Sequence, residues 1–153
     1  MSTLSIIDLS QNKLLAFLND SAFSGLNALT SLDLSGNDAL THVGHNALPP
    51  SSLSFSLQQL YLHDSGLTSL DENLFNDLFN LKTATVHNTA IRCDCDVAWV
   101  SHASRDGGAT TGDWFGAWLA NDTAARCRTP DNFNQTIVSL QSKRSPVWKI
   151  QQN

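Results

Sequence analysis

Residues 29–37 read L-T-S-L-D-L-S-G-N, and the same frame returns three more times along the chain. It stands at 4–12 as L-S-I-I-D-L-S-Q-N, at 57–65 as L-Q-Q-L-Y-L-H-D-S and at 81–89 as L-K-T-A-T-V-H-N-T. The recurring positions are Leu4, Ile7, Leu9, Asn12, then Leu29, Leu32, Leu34, Asn37, then Leu57, Leu60, Leu62, Ser65. A worn copy follows at Leu81, Ala84, Val86 and Thr89. The phase residue moves from Leu9 to Leu34, Leu62 and Val86, so the spacings are 25, 28 and 24. A period of this size means that one supersecondary unit stacks on copies of itself, because no single copy can bury its own apolar face.

Within each run, alternation assigns the faces of a short strand. Leu4, Ile7, Leu9 and their counterparts point inward. The asparagine that follows carries both a donor and an acceptor, so inside a stack it can bond backbone groups of adjacent turns away from water. Ser65 and Thr89 can do part of this with a hydroxyl, and the ladder is expected to weaken toward them. The return legs are legible too. Ala22, Phe23, Leu26 and Leu29 mark one, and Leu74, Phe75, Leu78 and Leu81 mark another. Phe three residues before Leu suits a short helical turn that buries an aromatic. The middle leg carries Pro49, Pro50 and four serines, Ser51, Ser52, Ser54 and Ser56, which predict an extended loop and account for the longer spacing.

The pattern L-x-x-L-x-L-x-x-N at this period resembles the leucine-rich repeat. The resemblance implies an α/β solenoid: a right-handed superhelix with a short parallel sheet on its concave face and an irregular or short-helical convex side. Four repeats over residues 1–91, the last degenerate, satisfy the roughly three that such a stack needs.

Composition fits one domain. Of 153 residues, 41% are hydrophobic and 15% charged, enough to build a core and too few charges for a disordered tail. Residues 1–91 hold two lysines against eight acidic residues, a net charge of −6, whereas 92–153 carry +1. An acidic repeat region without a basic stripe argues against nucleic acid as a partner. No apolar run approaches the ~18–20 residues of a membrane helix, and the start, MSTLSIIDLS, lacks the features of a signal peptide.

After the repeats the chain changes to I-R-C-D-C-D-V-A-W-V at 91–100, with C-R-T-P at 127–130. These motifs resemble the cysteine-rich C-terminal flank of extracellular leucine-rich repeat proteins, of the Slit-like and Toll-like ectodomain type. Repeats and flank together cover about residues 4–140. The resemblance implies that 92–153 form a disulfide cap and that Cys93 pairs with Cys127. The family flank usually has a fourth cysteine, which would fall near residues 143–150. This chain has none there, so Cys95 is expected to be unpaired. Two other readings of the cysteines stand beside this one: three buried thiols of an intracellular protein, or a zinc site assembled from Cys93, Cys95, Cys127 and His102. No metal or other cofactor is expected. Three sequons, at Asn19, Asn121 and Asn134, fit a glycosylated, secreted protein, although such tripeptides also arise by chance in a chain rich in Asn, Ser and Thr. Between the cysteines, Trp114, Phe115 and Trp118 either cover the last repeat or form a ligand-contacting loop.

The outward strand positions fall into three columns: Ile6, Ser31, Gln59, Thr83; Asp8, Asp33, Tyr61, Thr85; and Ser10, Ser35, His63, His87. Column members are close neighbours, since paired strands lie about 4.8 Å apart. Asp8 and Asp33 then face each other as like charges, which either a basic partner offsets or water solvates. His63 and His87 are also adjacent; they are either solvated or able to sense pH or share a metal. His42 and His45 fall in an irregular segment and say little. His63-Asp64-Ser65 has the composition of a catalytic triad, but successive residues of a strand would point to opposite faces. No G-x-S-x-G, phosphate loop, H-E-x-x-H or C-x-x-C is present. No catalytic residues are assigned.

The expected function is protein recognition outside the cell or at its surface, of receptor, adhesion, matrix or innate-immune type. The ligand is expected on Asp8, Ser10, Asp33, Ser35, Gln59, Tyr61, His63, Thr83, Thr85 and His87. An intracellular scaffold with reduced cysteines and a structural spacer without a ligand are the alternatives. A strand starting at Leu4 leaves an open sheet edge, so the chain is expected to continue a longer protein or to self-associate through that end.

Overall fold

The computed structural model describes residues 3–48, 57–76, 78, 80–93, 126–129 and 134–136. The insertion at 49–56, Cys95, Asn121, His102 and the aromatic group Trp114, Phe115 and Trp118 lie outside the described residues.

The four recurring runs become four three-residue strands of one parallel sheet. They are β1 (Ile6–Asp8), β3 (Ser31–Asp33), β5 (Gln59–Tyr61) and β6 (Thr83–Thr85), in the order β1-β3-β5-β6. The register pairs Ile6, Ser31, Gln59 and Thr83 across the sheet, and Asp8, Asp33, Tyr61 and Thr85 beside them. These are the first two sequence columns. The middle residue of β3, β5 and β6 is buried while its neighbours are partly or fully exposed, as period-two alternation requires.

Hydrogen bonding runs beyond the strands. Leu9 N–H donates to Asp33 O (2.8 Å), Leu34 N–H to Tyr61 O (2.9 Å) and Leu62 N–H to Thr85 O (2.9 Å). One step further, Gln11, Gly36 and Asp64 donate to Ser35, His63 and His87. At this step the backbone turns left-handed in every copy: Gln11 has φ 60°, Gly36 68°, Asp64 55° and Asn88 54°. Gly, Asp and Asn tolerate this conformation well, which explains three of the four residue choices.

Two features were not expected from the sequence. A second parallel pair, β2 (Phe17–Leu18) with β4 (His42–Val43), joins the first two turns on another side of the stack. The same direction of pairing continues later, where Arg92 N–H donates to Thr68 O (3.1 Å). The chain then returns: β7 (Arg126–Arg128) pairs antiparallel with β8 (Asn134–Thr136) and also lies against residues 91–93. There Arg128 N–H donates to Ile91 O (2.7 Å), and Cys93 N–H donates to Arg128 O (2.8 Å). This places the Cys93 and Cys127 sulfurs within bonding distance, with Cα atoms 5.1 Å apart.

The core is the stacked leucine column. Leu29, Leu32, Leu34, Leu40, Phe75 and Ile91 have no exposed surface, and Cys127 belongs to the same cluster. Each fully buried Leu contributes about 1.5–3 kcal/mol by leaving water. Phe23 and Phe75 are both buried at the return legs. The last leg forms α1 (Glu72–Asn76), capped by Asp71, whose Oδ1 accepts from Asn73 N–H at 2.8 Å. The first leg makes turns instead, with Leu26 N–H donating to Phe23 O and Leu29 N–H to Leu26 O.

The asparagine position behaves as its chemistry dictates. Buried Asn37 donates through Nδ2 to Leu34 O (2.7 Å) and, across to the preceding turn, to Leu9 O (3.0 Å). Ser65 and Thr89 keep only the bond within their own turn, to Leu62 O (2.6 Å) and Val86 O (2.9 Å). Close packing of turns also fixes Gly66, where a Cβ would collide with the Asp38 carbonyl oxygen and meet Leu40 O at 3.3 Å.

Candidate functional site

The outward face of the four-stranded sheet collects most of the sequence-predicted positions. Asp8 and Gln59 are exposed, and Ser10, Asp33, Tyr61, His63, Thr83, Thr85 and His87 are half-buried. Ser35 is buried at 8% exposure and offers little surface to a ligand. Because backbone bonds already hold the strands, none of these side chains is needed to build the sheet.

The face has two halves of different character. On the β1–β3 side stand the two aspartates. Each folds onto its own backbone: Asp8 Oδ1 accepts from Ser10 N–H at 2.9 Å and Asp33 Oδ1 from Ser35 N–H at 2.8 Å. Hydrogen bonds from the Ser10 side chain and then its backbone N–H hold the Asp8 carboxyl below the usual carboxylate range. The local donors therefore offset part of the like-charge repulsion that the column implied.

On the β5–β6 side the side chains touch one another. The His63 and His87 rings stack with centroids 4.7 Å apart and planes 16° from parallel. Tyr61 meets His63 edge-on, with centroids 6.3 Å apart. His63 Nδ1 lies 2.7 Å from Thr85 Oγ1, and its Nε2 lies 3.8 Å from Asp64 Oδ2. Asn88 Nδ2 in turn donates to Asp64 Oδ1.

One geometric expectation needs correction. His63, Asp64 and Ser65 do not lie in a strand, since β5 ends at Tyr61. The left-handed turn at Asp64 brings its carboxylate back toward His63 instead of sending it to the opposite face. Ser65 remains unsuited to act with them, because its buried hydroxyl donates inward to Leu62 O.

Elsewhere, Asn19 is exposed, and Asn134 opens strand β8. Half-exposed His45 lies between Asp20 (3.7 Å) and Asp71 (3.9 Å). A cavity of about 400 Å³ lies between β4 and α1, with Val43, Leu67 and Leu74 among its apolar walls and His42 and Glu72 on its polar side. Sequence reading missed it. Leu67, Leu70 and Leu74 hinted at an apolar wall, but nothing in the sequence showed that β4 stands opposite. Among the described residues, no helix is long and apolar enough to cross a membrane.

Residues 1–49 match the family model described as "Leucine rich repeat". The match covers the first two copies of the motif. The parallel four-stranded sheet that continues the same register through the third and fourth copies fits a leucine-rich repeat solenoid. Such repeats generally mediate protein–protein interaction.

Proposed function

We propose that this chain is a protein-recognition module of a secreted or cell-surface leucine-rich repeat protein, without enzymatic activity of its own. The ligand binds the outward, concave face of the sheet. The observation that carries the reading is the cluster in which Tyr61, Thr85 and His87 each meet His63 while all four stay partly exposed. A preorganised aromatic and polar patch of this kind loses little side-chain entropy on binding. Asp8 and Asp33 extend the patch as an acidic flank that favours a basic partner surface.

In the same reading, residues 1–91 form the right-handed superhelix and 92–153 close its end as a disulfide cap. Burial of Cys127 in the core cluster and the bonds between β7 and residues 91–93 support the cap. Exposed Leu4, Ile6, Leu14 and Phe17 support self-association through the first turn.

The compartment is tested by expression through a secretory pathway, followed by intact mass with thiol alkylation. One alkylatable thiol and glycan on Asn19, Asn121 or Asn134 are expected; three free thiols and no glycan in a folded protein overturn the extracellular reading. The binding face is tested by photo-crosslinking from position 59 to extracellular proteins. A crosslinked partner lost in Tyr61→Ala plus His87→Ala, but kept in Lys82→Ala, is the expected result. A partner indifferent to the double variant overturns it.

A further inference from the structure

We propose that His63, His87 and Asp64 form a binding site for a divalent transition-metal ion of the zinc class, at the edge of the outward sheet face. One donor atom from each residue lies within 4.8 Å of the other two. Zinc takes imidazole nitrogen and carboxylate oxygen at roughly 2.0–2.2 Å, which puts donor atoms about 3–3.5 Å apart around one ion. His63 Nε2 and Asp64 Oδ2 stand at 3.8 Å, too far for a hydrogen bond and a few tenths of an ångström from that spacing. Rotation of the His87 ring about its side-chain bonds would bring the third donor in, with His63 kept where it stands.

Proximity alone is weak, since exposed charged groups cluster without ions. What distinguishes this cluster is how its donors are held. A metal-ligating histidine usually gives its other ring N–H to an oxygen, which fixes the tautomer and aims the free lone pair at the ion. Thr85 Oγ1, 2.7 Å from His63 Nδ1, is placed for that role and leaves Nε2 facing Asp64. The carboxylate is oriented in the same way: Asn88 Nδ2 donates to Oδ1, and Oδ2 is the oxygen turned toward His63. Both residues stand at left-handed turns, with the Asp64 carboxylate near the His63 ring and the Asn88 amide on that carboxylate. Two adjacent turns thus contribute matched parts: a histidine from each, with the carboxylate from one and its orienting amide from the other. Imidazole with carboxylate suits zinc, copper and nickel better than calcium or magnesium, which prefer all-oxygen sets. Three protein donors leave at least one coordination position for water or for a donor of a bound protein.

The test is calorimetric titration of the untagged full chain, carrying Cys95→Ser, with zinc ion alone. Histidine ring resonances are followed by NMR in parallel. One equivalent of zinc is expected, with the His63 and His87 signals shifting together and saturating at that ratio. His63→Ala and His87→Gln should each weaken binding at least about tenfold, and Thr85→Val should weaken it by about the tenfold that loss of an orienting partner costs. His45→Ala should leave binding unchanged. If a variant does not fold, the ring shifts of the parent chain decide. No binding, shifts confined to His42 and His45, or undiminished affinity in both His63→Ala and His87→Gln would overturn the site.

Discussion

The first and last turns of the stack carry the same motif to opposite effect. The first has the better sequence, with Leu4, Ile7, Leu9 and Asn12 all matching, yet Leu4 is 48% exposed and Ile7 and Leu9 are only half-buried. The last has the worn copy, yet Leu81, Ala84 and Val86 are 3%, 1% and 0% exposed. The difference is in the neighbours. β1 has a strand on one side only, and among the described residues nothing covers its other edge. Beyond the last turn, β7 returns to bond residues 91–93, and Cys127 enters the core. Burial, and the stability that comes with it, is a property of stacking and not of how well one copy fits the motif.

The largest test of that comparison acts on the proposed cap of the last turn. The proposed bond between Cys93 and Cys127 spans a sequence separation of 34 and would constrain the unfolded chain by about 4 kcal/mol on the chain-entropy account. Cys93→Ser plus Cys127→Ser is expected to lower unfolding stability by close to that amount in denaturant titration. It should also raise amide exchange at Ile91 and Val86 toward the rate at Ile7. Unchanged exchange at these residues would mean that the disulfide does not hold the end closed.

A smaller test compares one residue type at one motif position. Leu81→Ala deletes a buried side chain and is expected to cost about 3 kcal/mol. Leu4→Ala, its counterpart on the first turn, should cost under about 1 kcal/mol, because half of the side chain is already in water. Equal losses in chemical denaturation would break the comparison.

The asparagines sharpen it further. Asn37 spans two turns from a buried position, and its Oδ1 has no hydrogen-bond partner among the described residues. Asn37→Ala therefore takes this donor from the Leu34 carbonyl and removes the tie across to Leu9 O, which keeps its bond from Asn12, at about 1–3 kcal/mol. Asn12 bonds only within its own exposed turn, to Leu9 O (2.7 Å) and Ser10 O (3.2 Å). Water can replace those bonds, so Asn12→Ala should lose well under about 1 kcal/mol. Thermal unfolding of the two variants side by side separates these outcomes.

What the sequence disclosed follows the same division. Sheet register was legible residue by residue, because strand alternation fixes the face and the repeat fixes the offset. Tyr61 could be placed beside Asp33 and Thr85 without coordinates. The left-handed step after each strand was harder to see, since Gln11 hides a pattern that Gly36, Asp64 and Asn88 announce. Its omission is why His63 and Asp64 seemed to point apart. The β2–β4 pair spans only two residues per turn, too few for periodicity to register. The return of β7 is a contact distant in sequence, marked only by Cys127. The stacking of His63 on His87 depends on side-chain rotation, which a column of letters does not contain.

The smallest expected effect lies at the exposed end, on Asp8. Its carboxyl is held below its ordinary range first by the Ser10 hydroxyl and then by the Ser10 N–H. A carboxylate whose folded pKa is depressed stabilises the fold above its unfolded pKa, and that contribution is lost as pH falls through the folded value. The loss therefore falls in the acid range, below the usual carboxylate titration, and leaves neutral pH untouched. Asp8 is fully exposed, so solvent screens the effect to a size best read at the residue itself. Following the Asp8 carboxyl by NMR, Ser10→Ala should move its titration upward toward the ordinary value. An unmoved Asp8 signal in Ser10→Ala would mean that the local turn does not hold the carboxyl, and that the exposed first turn is less self-contained than its own bonds imply.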